Sequence, residues 1–214
     1  MKKLLSVIMS IAVAAALLTG SIAAPILVRG FYYAQIAPLN LEEASGLSEA
    51  EIRNAYDEVL DYCTGKSDEF SAGVLPFSDE GASHFSDCRK LFVLDFEIFG
   101  VSLLLIAALT MYRRRRGLHE FCGRSPAFWG AAGICGAICA AAALAATDFD
   151  RAFEVFHGIF FPGKDNWIFA PKLDPIIKLM PEAFFRNCAI LIALLIALVS
   201  AIIIISDLRK KKSG

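Results

Sequence analysis

Residues 91–116 read LFVLDFEIFGVSLLLIAALTMYRRRR, an apolar run closed by four consecutive arginines. As a helix, Leu91–Tyr112 would extend about 33 Å, enough to cross a hydrocarbon layer of about 30 Å. Arg113 to Arg116 mark where it leaves. Three other blocks have the same character: Leu4 to Val28, Ala127 to Ala146 and Cys188 to Ile205. Of the 214 residues, 57% are hydrophobic, and mean hydropathy is +0.56. An ordinary soluble domain is about 45–50% apolar. This concentration of core-forming material excludes a disordered chain. Basic residues gathered at the ends of apolar blocks argue against a nucleic-acid binder. Four of the six cysteines fall in or beside apolar or basic segments, which argues against a soluble disulfide scaffold. The expected fold is an all-α polytopic membrane protein, a four-helix transmembrane bundle with a small helical extracytoplasmic cap.

The flanking charges orient the spans. Lys2 and Lys3 precede the first, Arg124 precedes the third, and Arg209 to Lys212 follow the last. Residues 30–90 carry twelve acidic and four basic side chains. The positive-inside rule then predicts spans at 1–29, 91–112, 127–146 and 188–206. It places a basic loop at 113–126 and a basic tail at 207–214 in the cytoplasm. The cap at 30–90 and an interfacial segment at 147–187 face outward, in a bacterial cell membrane protein with both termini inside. Lys2-Lys3, an apolar run and Ala23-Ala24 also resemble a signal peptide. The length of the run disfavours that reading, as does Arg29 followed by Phe31, Tyr32 and Tyr33, which read as interfacial anchors.

Within the loops, Ser48 and Glu51 form a capping box, with Leu47 and Ile52 as its staple. Ile52, Ala55, Tyr56, Val59, Leu60 and Cys63 keep one helical face, and Gly65 is a stop. Ser78-Asp79-Glu80 starts a helix that can run into the second span. Asp148 starts another with Phe149, Phe153, Phe156 and Phe160 on one side, suited to the membrane surface. Asp174-Pro175 and Pro181-Glu182 read as two further starts. Small residues at Ala12, Ala16, Gly20 and Ala24, and at Ala132, Gly136 and Ala140 beside Gly130 and Gly133, predict close helix packing.

Few residues could do chemistry. His84 stands seven residues before Leu91, roughly 10 Å outside the hydrocarbon. It shares a face with Asp87, Cys88, Leu91 and Asp95, and Asp87 can orient its ring. His157 lies in the Phe-rich helix, so both imidazoles stand at headgroup depth, beside lipid esters and phosphates. The plain alternative is two solvated surface histidines, which is also the reading for His119. Asp95 either faces a polar cavity below His84 or marks hydrocarbon beginning only near Ile98. Cys135 and Cys139 share a face as packing residues, and Cys63 and Cys88 could pair as a disulfide. His84, Asp87 and His157 make a thin metal set, and no metal is assigned.

The order of these residues resembles the lipoprotein intramolecular transacylases of Gram-positive bacteria. The similar elements are Phe31-Tyr32-Tyr33, Ala55-Tyr56 to Tyr62, His84-Phe85-Ser86-Asp87-Cys88-Arg89, Phe153 to Phe161, Asp165-Asn166-Trp167 and Pro181-Glu182-Ala183-Phe184-Phe185. They cover about Phe31 to Arg186. Cys88 departs from the pattern, where an aliphatic residue is expected, and should alter packing and not chemistry. The resemblance implies that one acyl chain moves from the glycerol ester of a diacylglyceryl-modified lipoprotein to the α-amine of its N-terminal Cys. The product would be an N-acyl, lyso-form lipoprotein. The catalytic residues carried over are His84 and His157. We expect His84 to act as base with Asp87 orienting it, and His157 to hold the oxyanion or protonate the glycerol oxygen, roles that could be exchanged. Asp95, Phe153, Phe156, Phe160, Asn166 and Trp167 are expected to contact substrate, Trp167 as anchor or pocket wall. The implied partners are diacylglyceryl-modified lipoproteins and membrane lipid, with no cofactor and no nucleic acid; no oligomeric state follows. Two other readings are a non-enzymatic membrane assembly or sensor subunit and a metal-dependent lipid hydrolase.

Overall fold

The computed structural model describes residues 1–210; the end of the expected basic tail, 211–214, lies outside the described residues. Eight α-helices are present among them: α1 (Lys2–Leu27), α2 (Gly30–Tyr33), α3 (Leu41–Ser45), α4 (Glu49–Cys63), α5 (Asp79–Arg116), α6 (Pro126–Ala145), α7 (Phe149–Phe160) and α8 (Glu182–Lys210), with a 3-10 turn at Pro175–Lys178 before α8. The chain forms two compact units. One comprises Met1–Ala24, Asp95–Leu144 and the chain from Ile190; the other comprises Pro25–Leu94 and Ala145–Ala189.

The first unit holds the greater part of the long apolar helices. α1, α5, α6 and α8 are each long and apolar enough to cross a membrane. Of the apolar window of α1, 39% is buried, against 6–11% in the other three, so α1 supplies most of the protein-facing surface. Met9 and Val13 of α1 pack with Leu109 of α5. Val101 and Leu104 on α5, and Leu194, Leu198 and Ile202 on α8, are exposed, as suits helices solvated by lipid. α1 and α6 approach closely: Ser10 donates to the Pro126 carbonyl (2.8 Å), and a Cβ on Gly130 would lie 2.3 Å from the Ser10 carbonyl oxygen. The small face expected at Ala132, Gly136 and Ala140 is a correction. Gly136 and Ala140 are exposed, and close packing falls on Gly130 and Ala131, both buried, at the other end of α6. Between α5 and α6 the chain turns sharply through a Phe121–Arg124 bridge. Cys122 is exposed there, in the left-handed region (φ +50°).

The second unit is built on α4. Its capping box forms as expected, with Ser48 accepting from the Glu51 amide and the Glu51 side chain accepting from the Ser48 amide. Ile52, Ala55, Tyr56, Val59, Leu60 and Cys63 are all buried, and Gly65 follows at φ +79°. The expected interfacial anchors are corrected. Arg29 pairs with Asp57 (2.9 Å) and Asp61 (2.5 Å). Tyr32 is fully buried, stacked on Tyr56 at 3.6 Å, and its hydroxyl donates to the Leu179 carbonyl (2.8 Å). A ring with a polar tip suits an interface, but a hydroxyl with an internal acceptor suits a core as well.

Ser78-Asp79-Glu80 begins α5, which runs unbroken for 38 residues to Arg116. Asp148 caps α7 by accepting from the Arg151 amide (2.9 Å). Asp174-Pro175 starts only the 3-10 turn, and the Asp174 side chain does not cap it. Its carboxylate instead accepts from the amide and hydroxyl of Ser78 (2.8 Å each). The Ser78 hydroxyl in turn accepts from the Gly81 amide (3.0 Å). A carboxylate among the free amides of a helix start is favoured by hydrogen bonding and by the helix dipole. Gly81 makes room for it, since a Cβ there would lie 2.2 Å from Asp174 Oδ1.

Candidate active site

Three stretches of the second unit converge: the first turns of α5, α7, and the loop from Phe161 to Asp174. His84 from α5 and His157 from α7 are each 7% exposed, with ring centroids 6.0 Å apart. Aromatic rings enclose them. Phe161 lies 4.9 Å and Phe169 5.4 Å from the His84 ring. Trp167 stacks on His157 at 4.3 Å, and Phe153 packs on the same imidazole at 4.3 Å.

The hydrogen bonds fix much of the protonation pattern. His157 Nδ1 lies 2.8 Å from the Phe153 carbonyl oxygen. A carbonyl only accepts, so Nδ1 carries the proton and Nε2 holds the lone pair when the ring is neutral. Burial lowers the His157 pKa, and the Phe153 bond partly opposes this. His84 is pushed down to about 4, chiefly by burial; His157 acts in the same direction, while Asp87 and Asn166 oppose it. Both rings are therefore neutral at pH 7. His84 Nε2 lies 3.4 Å from Cys88 Sγ, and His84 Nδ1 is buried without a hydrogen-bond partner.

Asp87 corrects an expectation. It accepts from Lys90 (3.0 Å), Lys164 (2.5 Å) and Asn166 Nδ2 (3.3 Å), and no hydrogen bond joins it to His84 among the described residues. Burial alone would raise its pKa, but the Lys164, Lys90 and Asn166 contacts hold it at about 2. The spacing of three residues placed Asp87 on the correct helix face, yet two ammonium groups compete for the carboxylate more strongly than a neutral ring. Asp87 acts on the site through Asn166. It draws the amide nitrogen toward itself and turns Oδ1 away, where that oxygen is buried with no partner.

The other expected residues divide. Phe153 and Trp167 line the imidazole pair, and the Trp167 indole donates to the Lys164 carbonyl (3.1 Å). Phe156 and Phe160 are about half exposed and packed on one another at 4.6 Å. They form the outer side of α7, because the inner side is taken by Phe153 and His157. Asp95 is 8% exposed with Oδ2 unpartnered, and belongs to the other unit. Cys63 and Cys88 are both free thiols. Cys88, expected to affect packing, lies against the His84 ring, with Sγ 3.4 Å from Nε2. Lys164 and Phe169 are residues the sequence reading missed; the only signal for Lys164 is a cation two residues before Asn166. Among the described residues no three His, Cys, Asp or Glu side chains form a metal-binding group, and a carboxylate already holding two ammonium groups is a poor ligand.

Such a site can exchange protons at neutral pH and exclude water. A family model described as "Lipoprotein intramolecular transacylase Lit" matches residues 7–185. No curated protein matches the chain. Solved structures of the membrane integral lipoprotein intramolecular transacylase Lit from Bacillus cereus share the fold. One has a TM-score of 0.86 at 23% identity, covering 100% of this chain and 99% of that one. Two others carry a single histidine replaced, by arginine (TM-score 0.81, 22% identity, 100% and 94% covered) or by alanine (0.83, 23%, 100% and 96%).

Proposed function

The chain belongs to the lipoprotein intramolecular transacylase family, and on that premise we propose that His84 and His157 are the pair that moves the acyl chain. It is a multi-pass membrane enzyme of intramolecular acyl transfer. The substrate in our reading is a diacylglyceryl-modified lipoprotein, whose glycerol ester passes one acyl chain to the α-amine of the N-terminal Cys. An N-acyl lipoprotein with a lyso-glyceryl group results.

The observation that carries this reading is two buried, neutral imidazoles 6.0 Å apart inside an aromatic shell. Aminolysis needs one group to take a proton from the attacking nitrogen and another to steady the oxyanion. It needs no protein nucleophile, because the amine and the ester belong to one molecule and tethering supplies a high effective concentration. Water is the competing nucleophile, and Phe153, Phe161, Phe169 and Trp167 keep it away. Asn166 Oδ1, held open by Asp87, is an acceptor for an N–H of the incoming amine. The histidine replacements made in the Bacillus cereus transacylase support attention to histidine. By the positive-inside rule, both termini and the 113–126 loop lie in the cytoplasm and the site faces outward.

Replacing His84 or His157 with Ala should lower formation of the N-acyl, lyso-form product by about a hundredfold or more. Mass spectra of the N-terminal lipopeptide, made in a host that otherwise yields only diacylated lipoproteins, read this directly. Normal product from either variant would remove that residue from the mechanism.

A further inference from the structure

Cys88 touches the proposed pair and has no part in the reaction as described so far. One turn beyond His84 on α5, its Sγ sits 3.4 Å from Nε2. Burial pushes the thiol pKa up to about 12, so it stays an S–H. Two neutral groups then share one hydrogen bond. Sulfur is a weak acceptor, whereas a bare imidazole nitrogen is a good one, so the stronger arrangement has S–H donating to Nε2. The ring proton must then reside on Nδ1. That atom and Oδ1 of Asn166 are both buried without a hydrogen bond of normal length, and the Asn166 side chain favours the protonated His84 ring.

We propose that Cys88 is a positioning residue that holds His84 in its Nδ1–H tautomer and thereby divides the labour of the two histidines. The inference rests on the pair being catalytic. His84 Nδ1–H is the donor to the ester carbonyl oxygen. His157, whose Nδ1 is committed to the Phe153 carbonyl, offers its Nε2 lone pair as the base. The amine lone pair forms the new C–N bond, and the carbonyl π electrons move to the oxygen held by His84. His157 Nε2 takes one proton from the nitrogen. On collapse the carbonyl re-forms and the C–O bond to glycerol breaks. Its electrons leave on the glycerol oxygen, which takes the proton back from His157. Ester and amine become amide and alcohol, with no net proton uptake. Trp167, stacked on His157 at 4.3 Å, steadies the transient imidazolium through its π face. This exchanges the roles expected from sequence spacing.

The test compares the full-length protein with Cys88→Ser, which keeps a donor, and Cys88→Val, which removes it. Nitrogen NMR of protein labelled with 15N-histidine separates bare from protonated ring nitrogens. The His84→Ala and His157→Ala spectra assign the signals. The expected result is a protonated Nδ1 and bare Nε2 on both histidines. In Cys88→Val, His84 should become a mixture of tautomers, with kcat down about tenfold and KM unchanged; Cys88→Ser should restore both. A bare Nδ1 on His84 in the parent protein would overturn the proposal, as would a Cys88→Val variant with unchanged tautomer and kcat. Either result beside inactive histidine variants would remove the thiol's role and leave the acyl-transfer reading standing. Active histidine variants would instead remove that reading itself.

Discussion

Asp87 accepts from Lys90, Lys164 and Asn166, and its charge is spent on holding the loop that carries Asn166 and Trp167. In an Asp87→Asn variant, Lys164 loses its counter-charge and the Asn166 amide loses the partner that orients it. A charge-assisted bond contributes about 1.5–3 kcal/mol, so kcat/KM should fall roughly tenfold to a hundredfold. His84→Ala should fall further, and a fully active Asp87→Asn enzyme would refute the role given to Asn166. The pH profile belongs to the same scale. His84, at about 4, is already neutral above pH 6.5, and burial moves His157 in the same direction, below its ordinary value. Protonation of either at lower pH removes a lone pair or a neutral donor, but over pH 6.5–8 the reacting ammonium is the group still titrating. kcat/KM should therefore rise up to about pH 8, where an α-amine loses its proton. A rate already flat above pH 6.5 would contradict this.

At the scale of elements, the start of α5 and the site loop are joined by one buried carboxylate, Asp174, 4% exposed. Gly81→Ala would drive a methyl group into that carboxylate and break its bonds to Ser78. The loss should be about 1–3 kcal/mol of stability, seen as a lower melting temperature of the purified protein. An unchanged melt would mean that the loop end can shift at no cost. Why some elements were legible and others not follows from the range of the interactions. The capping box and buried stripe of α4 depend on residues within a few turns, so their spacing carries them. The division of α7 into an inner Phe153–His157 side and an outer Phe156–Phe160 side does not. All four Phe and His157 share one face of the helix, so the period marks that face without marking which edge of it meets a partner. Likewise, His84 and His157 are each visible as histidines beside a span, but the Lys164–Asp87 contact joins residues 77 positions apart. No local pattern encodes it. The burial of Tyr32 has no local signal either, since its acceptor, Leu179, is 147 positions away.

For the whole molecule, the four long apolar helices are written in length and composition alone, and their flanking charges carry the proposed orientation. Arg113 to Arg116 close α5, while residues 30–90 carry three acidic side chains for every basic one. The turn after α5 offers a way to check that orientation without altering the protein. Cys122 is exposed in it; Cys63 is buried, Cys88 lies against the His84 ring, and Cys135, Cys139 and Cys188 sit within the apolar helices. Thiol reagents attack the thiolate in water, so a charged maleimide too polar to cross lipid should modify this single sulfur. Intact cells should leave it untouched and inside-out vesicles should tag it; the reverse pattern would invert the topology. Nature has thus supplied the chain with its own sidedness reporter, already in place and far in sequence from either histidine.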